Sequence, residues 1–492
     1  MSNAEKTSQG GVAVAPNGNG SSAPQAATSR SAPPLPPVVG NISIRPGRDA
    51  LSALPPGPRM PSTLQALALW YRRNAWFERC RARYGSRFTI WYRFPAVPWV
   101  IISDPEEVKQ LFLTPGDVVY CSNGSSELVK YFGDTGLSLS EEDRHLARRK
   151  VVNKCTHGEA VARITDTIAD VTRREVESWP NDEVISLYWR LNRLTLSVIR
   201  QVCFGPEEDE RLDELVDVLD QTMRFNDHPL SLLETQFFWP SAVRLLKAVR
   251  PLGFRRFAEG HARVNELIYE VIKDRLRSDG GGQDLLSMLL ATTNEDGSPL
   301  SPLELRDEIM TTFIAGTTTT TSSIAAGVDL ITRTPAVRDR IVSAIDAGED
   351  DAYLTATAHE ILRRKPPLPV IIPRLVMRTV EIGGIVYQPG IRLWVSSHLV
   401  HHDAATYPDP YAFRPERFLD NPPGTYTWVP FGGGRRRCLG KAIAELEIKC
   451  VLRQIFGQYD VRREGPEAEA TRSNIVTVRP ARGTRVALSA RS

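Results

Sequence analysis

Ten residues, FGGGRRRCLG at positions 431–440, place one cysteine at the end of a glycine-rich loop. The segment that follows, Lys441 to Phe456, is predicted to be a helix, so Cys438 would lie at a helix N-terminus. The helix dipole, the unpaired backbone N–H groups and the neighbouring arginines would all favour a thiolate there. The glycines would let a flat ligand approach the backbone closely. The loop is therefore a candidate site for haem iron with an axial thiolate.

Three other interpretations of this loop must be considered. A lone cysteine is more often a small buried hydrophobic residue. A zinc site would need further ligands, and the loop contains no second cysteine and no histidine. A phosphate loop would need a Walker Lys-Ser/Thr pair or the spacing G-x-G-x-x-G, and neither is present. Spacing alone leaves a structural cysteine and a haem ligand as open alternatives.

A second unusual segment is AGTTTTTSS at positions 315–323, called the threonine segment below. It lies inside a long helical pattern that is predicted to begin at Ser301-Pro302 and to end near Thr334-Pro335. Each threonine weakens a helix by a few tenths of a kcal/mol relative to alanine, and glycine by about 1 kcal/mol. Departures of this size are typical of functional sites. A packed polar helix, with hydroxyls bonded to carbonyls one turn back, is the alternative.

The pattern Phe431-x-x-Gly434-x-Arg436-x-Cys438-x-Gly440 resembles the haem-binding signature of the cytochrome P-450 superfamily, with every position filled. The resemblance implies that Cys438 is the metal ligand of a haem b. It also implies a haem–thiolate monooxygenase of the bacterial type.

Two upstream motifs extend the resemblance over most of the chain. Glu360-Ile361-Leu362-Arg363 resembles the family's E-x-x-R pair, and PERF at 415–418 resembles the segment that supplies a further arginine. In the family these residues stabilise the fold, so Glu360, Arg363 and Arg417 are expected to do so here.

The resemblance implies a mainly α fold with small β-sheets (α+β), described for the family as a triangular, helix-rich prism around a buried haem. Local patterns agree with this expectation. Residues 64–83 have helical spacing, whereas 86–103 and 380–395 are predicted to form strands. Residues 1–44, rich in Ser, Gly, Ala, Pro and Asn, are predicted to be disordered. Residues 45–492 are predicted to form one catalytic domain.

The haem propionates require arginine or similar donors. His145 and Arg149 are spaced i, i+4, so a helix would place both on one face. The resemblance implies that this pair contacts a propionate together with Arg374 and Arg436. Arg148 is the neighbouring alternative, and a solvated basic face is the alternative for the whole pair. The predicted cofactor-binding residues are Cys438, His145, Arg149, Arg374, Arg436, Phe431, Gly440 and Ala315.

The threonine segment resembles the family's oxygen-binding helix, A/G-G-x-D/E-T-T, at Ala315, Gly316, Thr319 and Thr320. Thr318 stands where the family usually has an acid. The resemblance implies that Thr319 binds dioxygen and a proton-delivering water, and Thr318 and Thr319 are the predicted catalytic residues. Because a threonine hydroxyl does not ionise near neutral pH, we expect slower or less coupled oxygen activation than in members with the acid.

The implied reaction inserts one oxygen atom of O2 into an apolar small-molecule substrate. Electrons would come from NAD(P)H through an external reductase and a ferredoxin or flavodoxin, because no dinucleotide or flavin motif follows the haem loop. A peroxide-using haem–thiolate enzyme (peroxygenase or isomerase) and a non-catalytic haem-based ligand sensor are the alternatives. By family position, the substrate-facing segments are predicted at 120–132, around 224–239, and at 313–316, 370–372 and 475–478.

Charge, cysteine content and hydropathy indicate which partners and which cellular compartment to expect. The net charge of +3 over 492 residues argues by itself neither for nor against a polyanionic partner. The family resemblance leads us to expect no nucleic-acid partner. Six cysteines without a close pair are typical of a reducing compartment. No secretory signal and no run of about 18 apolar residues is found, so we expect no transmembrane anchor. These features predict a cytoplasmic protein, and we expect it to be a monomer.

Overall fold

The protein is represented by a computed structural model. The described residues are 44, 46–92, 97–121, 133, 135–225, 252–278, 282–294, 296–349, 351–474 and 477–491. The predicted disordered extension, except Ile44, lies outside them.

Helices form most of the described chain. In chain order they are α1 (Arg48–Ser52), α2 (Ser62–Tyr71), α3 (Arg73–Tyr84), α4 (Pro105–Leu113), α5 (Glu142–Thr156), α6 (Glu159–Glu177), α7 (Leu187–Phe204), α8 (Glu210–Phe225), α9 (Leu252–Arg277), α10 (Leu285–Leu290), α11 (Pro302–Arg333), α12 (Pro335–Asp346), α13 (Ala352–Arg364), α14 (Ser397–His401), α15 (Arg417–Asp420) and α16 (Lys441–Gln458). Among these helices, none is both long and apolar enough to cross a membrane.

The strands are short and form small sheets. They are β1 (Arg87–Tyr92), β2 (Val97–Ile102), β3 (Val119–Tyr120), β4 (Val184–Ser186), β5 (Arg374–Val376), β6 (Val380–Ile382), β7 (Ile385–Tyr387), β8 (Arg392–Val395), β9 (Tyr459–Arg463), β10 (Thr471–Asn474), β11 (Thr477–Pro480) and β12 (Arg485–Ala490). The largest sheet has the order β1-β2-β8-β5-β3, and β2 and β8 pair in parallel. The other sheets are β4-β12-β9, β6-β7 and β10-β11. The predicted mainly α class with small sheets is confirmed.

The long helix α11 begins and ends where the sequence predicts. The Ser301 hydroxyl accepts a hydrogen bond from the Glu304 N–H at 3.3 Å, and the Glu304 carboxylate accepts one from the Ser301 N–H at 2.9 Å. Pro302 occupies the first turn, where its missing N–H costs nothing. This capping box fixes the start of the helix that carries the threonine segment. The helix then continues without interruption to Arg333, before Pro335.

Two predicted strand regions are also confirmed. Residues 87–92 and 97–102 pair as antiparallel strands in the register Arg87 with Ile102 through Tyr92 with Val97. Residues 380–387 form the second antiparallel pair. The first pair buries apolar residues on both faces of the strand at 97–102, whereas the second buries Ile382 and Tyr387 and exposes Glu381 and Val386.

The ion pair between Glu360 and Arg363 lies at the centre of the packing between α13 and the segment that follows α14. Both side chains are fully buried, and the guanidinium donates two hydrogen bonds to the carboxylate at 2.6 and 2.8 Å. The Nε atom of Arg417 lies 3.6 Å from the same carboxylate. The carboxylate also accepts from the Arg414 N–H at 2.9 Å. This geometry is that of a structural network, because every contact is internal to the fold.

Candidate active site

The cysteine loop (residues 431–440) folds back on itself immediately before α16. The Cys438 N–H donates to the Phe431 carbonyl at 2.9 Å, and residues 434–436 form a single 3-10 turn. Gly440 is the N-cap residue of α16. The Cys438 side chain is exposed to an internal cavity of about 420 Å³. A cavity of this size is within the range of small-molecule sites in proteins.

Opposing effects act on the pKa of the Cys438 thiol. Burial raises this pKa, and the Gly440 N–H and the charges of Arg149 and Arg437 oppose the rise without cancelling it. The local features expected to favour a thiolate are therefore present, beside a desolvation effect that the sequence did not indicate. A cation bound at the sulfur would stabilise the thiolate.

The glycines of the loop have two different roles. Gly432 has φ +66° and borders the cavity, where an added Cβ would meet only the Ile371 side chain at 3.6 Å. Gly434 has φ +62°, and an added Cβ would lie 2.0 Å from the carbonyl oxygen of Phe112 at the end of α4. Gly433 likewise faces the Phe112 ring. The expectation that the glycines make room for a flat ligand therefore fits Gly432, whereas Gly433 and Gly434 make room for α4.

The threonine segment of α11 borders the same cavity. Ala315 is exposed to it, although much of the helix around it is buried. The Thr319 hydroxyl donates to the Ala315 carbonyl at 2.8 Å, and the Thr318 hydroxyl donates to the Ile314 carbonyl at 3.2 Å. Both hydroxyls therefore use their protons inside the helix and present oxygen lone pairs as acceptors.

Basic side chains form the polar end of the cavity, among them His145, Arg149, Arg374, Arg436 and Arg437. His145 is buried, and its pKa falls to about 3 because of desolvation, followed by the charges of Arg436, Arg149 and Arg374. Arg436 is ion-paired with Glu141, and Arg374 donates to the Ile372 carbonyl at 2.7 Å. Arg149 makes no hydrogen bond or ion pair with any described residue. This end of the cavity therefore carries excess positive charge.

The alternative assignment of Arg148 does not fit the structure. Arg148 is buried on another side of α5, where it donates to Glu304 at 2.7 Å and to Asn294 at 2.9 Å. Its Nε atom lies 3.6 Å from Glu308. The basic stretch is therefore not a uniformly solvated face, because it divides between a buried ion-pair network and the cavity.

The structure brings the predicted residues together around one cavity. Its border includes Cys438, His145, Arg149, Arg374, Arg436, Phe431, Gly440, Ala315, Thr318 and Thr319. Three elements that are far apart in the sequence supply most of them, namely α5, α11 and the cysteine loop. Their roles in binding and catalysis are inferred below.

Comparison with known proteins identifies the family. The family model for cytochrome P-450 matches residues 55–486, which is most of the chain. The chain is a cytochrome P-450. A relative from Mycobacterium tuberculosis named cytochrome P-450 135B1 is 31% identical over 447 residues, covering 89% of this chain and 92% of the relative. Another from the same organism, named cytochrome P-450 137, is 32% identical over 392 residues, with 78% and 79% coverage.

Solved structures show the same fold. The retinoic acid-bound cyanobacterial CYP120A1 superposes with a TM-score of 0.75 at 22% identity, covering 89% of this chain and 99% of that one. A cytochrome P-450DA heme domain gives 0.73 at 21% identity, covering 89% and 98%. Because both identities are low, the likeness concerns the fold alone.

The residues of this cytochrome P-450 fit the haem that the family implies. The Cys438 sulfur is open to the cavity, and within the part of the chain that the structure describes Arg149 and Arg374 pair with no carboxylate. An iron porphyrin would place its iron at this sulfur and its two propionates at these arginines. Gly440 adds to the fit, because an added Cβ there would lie 4.0 Å from the Cys438 Sγ and near no other group.

The predicted substrate-facing segments are only partly on the cavity. Those that border it are Cys121, Ile314, Ala315, Gly316, Ile371, Ile372 and Thr477. Phe313 does not: it is fully buried and packs on Phe204, with ring centroids 6.1 Å apart. Val370 belongs to a separate hydrophobic cluster. Residues 122–132, 226–239 and 475–476 of these segments lie outside the described residues.

Several cavity residues were missed by sequence reasoning. Glu447, Asn192 and Ser323 border the cavity from α16, α7 and α11, and all are buried. The sequence contained a signal for Glu447, namely its place among apolar residues. It follows Cys438 by nine residues and lies on the same helix as the buried residues Ile443 and Ile448. Asn192 gave none, since one asparagine on a helix carries no information about its neighbours.

Proposed function

We propose that this cytochrome P-450 inserts one oxygen atom of O2 into an apolar small molecule, with haem b bound through Cys438. One observation carries the proposal. The Cys438 sulfur opens into a cavity of about 420 Å³ that is also bordered by Thr318, Thr319 and several arginines. A structural cysteine would be packed against apolar side chains instead.

The bound haem supplies the oxygen-activating chemistry, and the protein supplies ligation, orientation and protons. Arg149 and Arg374 hold the two propionates, helped by Arg436. Thr319, with its proton committed to the Ala315 carbonyl, accepts a hydrogen bond from a water at the oxygen site. The Thr318 hydroxyl likewise donates its proton, to the Ile314 carbonyl, so it cannot replace the carboxylic acid that the family usually has at this position.

The substrate is mainly apolar, because most of the surface that lines the cavity is apolar. The aliphatic residues on this wall include Leu137, Leu139, Leu219, Met223, Val264 and Ile371. Burial of a hydrocarbon against such a wall contributes about 25 cal/mol per Å².

Electrons come from NAD(P)H through an external reductase and a ferredoxin or flavodoxin. Arg435 and Arg437 support this part of the proposal, because both are exposed on the cysteine loop and would attract an acidic carrier. The six free cysteines support a reducing, cytoplasmic setting. We also propose that the protein is a monomer.

The test is the absorption spectrum of the reduced, carbon monoxide-bound protein. Wild type and Cys450→Ser, a cysteine on α16, should show the red-shifted Soret band of thiolate-ligated haem. Cys438→Ser should lose it. A spectrum that does not depend on Cys438 would contradict the proposal.

Turnover separates the alternatives. The monooxygenase requires reductase, carrier and O2, whereas a peroxygenase or isomerase would work with peroxide alone. A sensor would give a ligand-induced spectral shift without product in either assay.

A further inference from the structure

Two adjacent buried carboxylates lie near the start of α11. Asp307 is fully buried and Glu308 is 1% exposed, and their neighbours Leu305 and Ile309 belong to an apolar core cluster. Carboxylates in such surroundings are costly unless charges and hydrogen bonds stabilise them. Neither group belongs to the proposed oxygen site, because the threonine segment begins about two turns further along the helix. Their presence therefore requires a separate explanation.

Asp307 holds the loop that precedes α5, residues 135–141, called the pre-α5 loop below. Its Oδ2 atom accepts hydrogen bonds from the Thr135 N–H at 3.1 Å and from the Thr135 hydroxyl at 2.6 Å. Its Oδ1 atom accepts one from Arg306 at 2.5 Å. The Arg306 guanidinium also donates to the Asn265 side chain of α9 at 2.7 and 2.8 Å. The carboxylate is therefore oriented through α9 on one side and binds the loop on the other.

Glu308 makes a second, weaker contact with the same loop. Its Oε2 atom accepts a hydrogen bond from the Leu137 N–H at 3.2 Å. Its Oε1 atom lies 3.6 Å from the Arg148 Nε atom and has no hydrogen-bond partner among the described residues. Burial raises the pKa of Glu308 to about 7, although the Leu137 N–H and the charges of Arg148 and Arg144 oppose this rise. We therefore expect Asp307 to hold the loop more firmly than Glu308 does.

Glycines let the backbone pass very close to α11. A Cβ atom added to Gly136 would lie 2.6 Å from the Thr311 Oγ1 atom and 3.0 Å from the Asp307 carbonyl oxygen. One added to Gly133, two residues before the loop, would lie 2.1 Å from the Asp307 carboxylate. Contacts this short would force the two segments apart. The loop and the helix therefore approach each other as closely as their backbones allow.

The other end of the pre-α5 loop is attached to the cysteine loop. Arg436 donates to the Ser140 carbonyl at 2.7 Å and is ion-paired with Glu141. Between the two attachments, Leu137 and Leu139 border the cavity. The loop thus carries part of the cavity wall between one anchor on α11 and another beside Cys438.

The distance of the pre-α5 loop from α11 affects the size of the cavity. The helix borders the cavity from Met310 onward, about one turn beyond Asp307, and the loop borders it through Leu137 and Leu139. Residues 135–141 form no helix or strand, so regular backbone hydrogen bonds do not fix their position. The carboxylate contacts take that role. Movement of the loop away from α11 would therefore enlarge the cavity on this side.

We propose that Asp307, assisted by Glu308, is a positioning residue that keeps Leu137 and Leu139 close to α11 and thereby limits the size of the substrate. The inference rests on the proposed monooxygenase function. Asp307 is fully buried behind the cavity wall, so it acts through the backbone of the pre-α5 loop and not by contact with substrate or haem. Loss of its charge releases the loop, and the cavity then accepts bulkier apolar molecules.

The first test does not depend on haem content or on a known substrate. Amide hydrogen exchange, followed by mass spectrometry of peptides from the pre-α5 loop, reports whether the loop is held. Asp307→Asn should speed exchange at Thr135 and Leu137 roughly tenfold, because hydrogen bonds to a charged group are lost. Glu308→Gln should have a smaller effect, confined to Leu137. Unchanged exchange in Asp307→Asn would overturn the proposal.

Two further variants control this experiment. Asp329→Asn removes another buried carboxylate, ion-paired with Arg333 at 2.8 Å at the opposite end of α11, and should leave exchange in the loop unchanged. An effect equal to that of Asp307→Asn would indicate general destabilisation and overturn the proposal. Thr135→Val removes one hydroxyl contact and keeps the pair of Asp307 with Arg306. It should also speed exchange, by a smaller factor, so the test remains decisive if Asp307→Asn does not fold.

The second test measures size selection in the haem-loaded protein. Imidazole and 1-tritylimidazole bind iron through the same kind of nitrogen but differ greatly in bulk, and the absorption shift that each causes gives its Kd. Asp307→Asn should lower the Kd of 1-tritylimidazole roughly tenfold relative to that of imidazole, because the affinity for a bulky ligand follows the fraction of molecules with a released loop. Leu137→Ala, which removes part of the wall itself, should change the ratio in the same direction. An unchanged ratio in either variant would overturn the proposal.

The outcomes separate the two proposals. Normal imidazole binding with an unchanged Kd ratio refutes the size limit and leaves the monooxygenase intact. A wild-type protein without thiolate-ligated haem refutes the proposed function, and hydrogen exchange then decides by itself whether Asp307 holds the loop.

Discussion

Arg436 of the cysteine loop is ion-paired with Glu141 and donates a second hydrogen bond to the Ser140 carbonyl at 2.7 Å. The pair ties the loop to the start of α5, and it neutralises one of the cations at the polar end of the cavity. Most of the unbalanced charge there is therefore carried by Arg149 and Arg374, although all three arginines match family positions.

Arg149→Gln is expected to weaken haem binding by about tenfold or more. A hydrogen bond to a charged group contributes about 1.5–3 kcal/mol, and 1.4 kcal/mol corresponds to a factor of ten. Haem transfer to apomyoglobin measures the loss. Lys150→Gln, an exposed neighbour on the same helix, should not change the transfer rate. Equal rates for the two variants would remove Arg149 from the proposed haem site.

Gly434→Ala is expected to disrupt the cysteine loop, and Gly432→Ala to be tolerated. Both positions have positive φ, so both alanines cost about 1–2 kcal/mol. Only the alanine at 434 would also collide with the Phe112 carbonyl. Haem content and melting temperature should therefore fall much further for Gly434→Ala. Similar losses for both variants would mean that α4 moves away from residue 434 at little energetic cost.

Glu360→Gln is expected to lower the free energy of unfolding by about 3–5 kcal/mol. The substitution leaves the fully buried Arg363 guanidinium without a counter-charge. Urea denaturation of the haem-loaded protein measures the effect. Glu177→Gln breaks an exposed pair with Arg173 and should cost less than about 1 kcal/mol. A comparably small cost at Glu360 would contradict the structural role of the network.

Thr319→Ala is expected to divert electrons from product to hydrogen peroxide and so to lower coupling roughly tenfold. A side chain that transfers a proton directly typically accelerates a reaction 10²–10⁴-fold, and a hydroxyl that acts through water should contribute less. Thr332→Ala removes an equivalent hydroxyl bonded to the Val328 carbonyl on the same helix, and coupling should be unchanged. Unimpaired coupling in Thr319→Ala would exclude this hydroxyl from the mechanism.

Thr318→Asp is expected to raise coupling, because it restores an ionisable group at the position where the family usually has one. Product and nicotinamide consumption are measured together. An unchanged or lower ratio would contradict the expectation that Thr318 limits coupling.

His402 is expected to stabilise the fold above pH 6.5 and to lose that effect below it. Burial lowers the pKa of this imidazole, so the folded state excludes a proton that the unfolded state accepts below about 6.5. The advantage of wild type over His402→Gln in unfolding free energy should therefore shrink as pH falls from 6.5, by up to about 1.4 kcal/mol per unit. A constant difference for His402 would contradict a neutral buried ring.

Local signals made much of the fold predictable. The capping box at Ser301 and Glu304, the proline after Asp104 and the alternation in residues 86–103 each act within a few residues of the feature that they specify. The positions of Cys438 and Thr319 followed from motifs. Such features depend little on the rest of the chain, so their prediction from sequence succeeded.

The features that were missed are those that depend on distant packing. Glu447, Asn192 and Asp220 meet across three helices, and no short window contains them. The upward shift of the Cys438 pKa was missed because desolvation depends on how much protein surrounds the sulfur. Phe313 was predicted to face the cavity. It precedes the cavity residue Ile314 by one position, which is about 100° of helical rotation, and its ring therefore packs on Phe204.

The Arg363 guanidinium has a further consequence, because it also donates to the carbonyls of His401, Pro410 and Ala412 at 2.8, 2.8 and 3.1 Å. The backbone between His401 and Ala412, which has little regular structure, is thus held in place by one charged group on a neighbouring helix. Insertions or deletions there would displace several carbonyl oxygens at once. Anyone who recombines this enzyme with a homologue should place the crossover points so that the helix and the stretch come from the same parent.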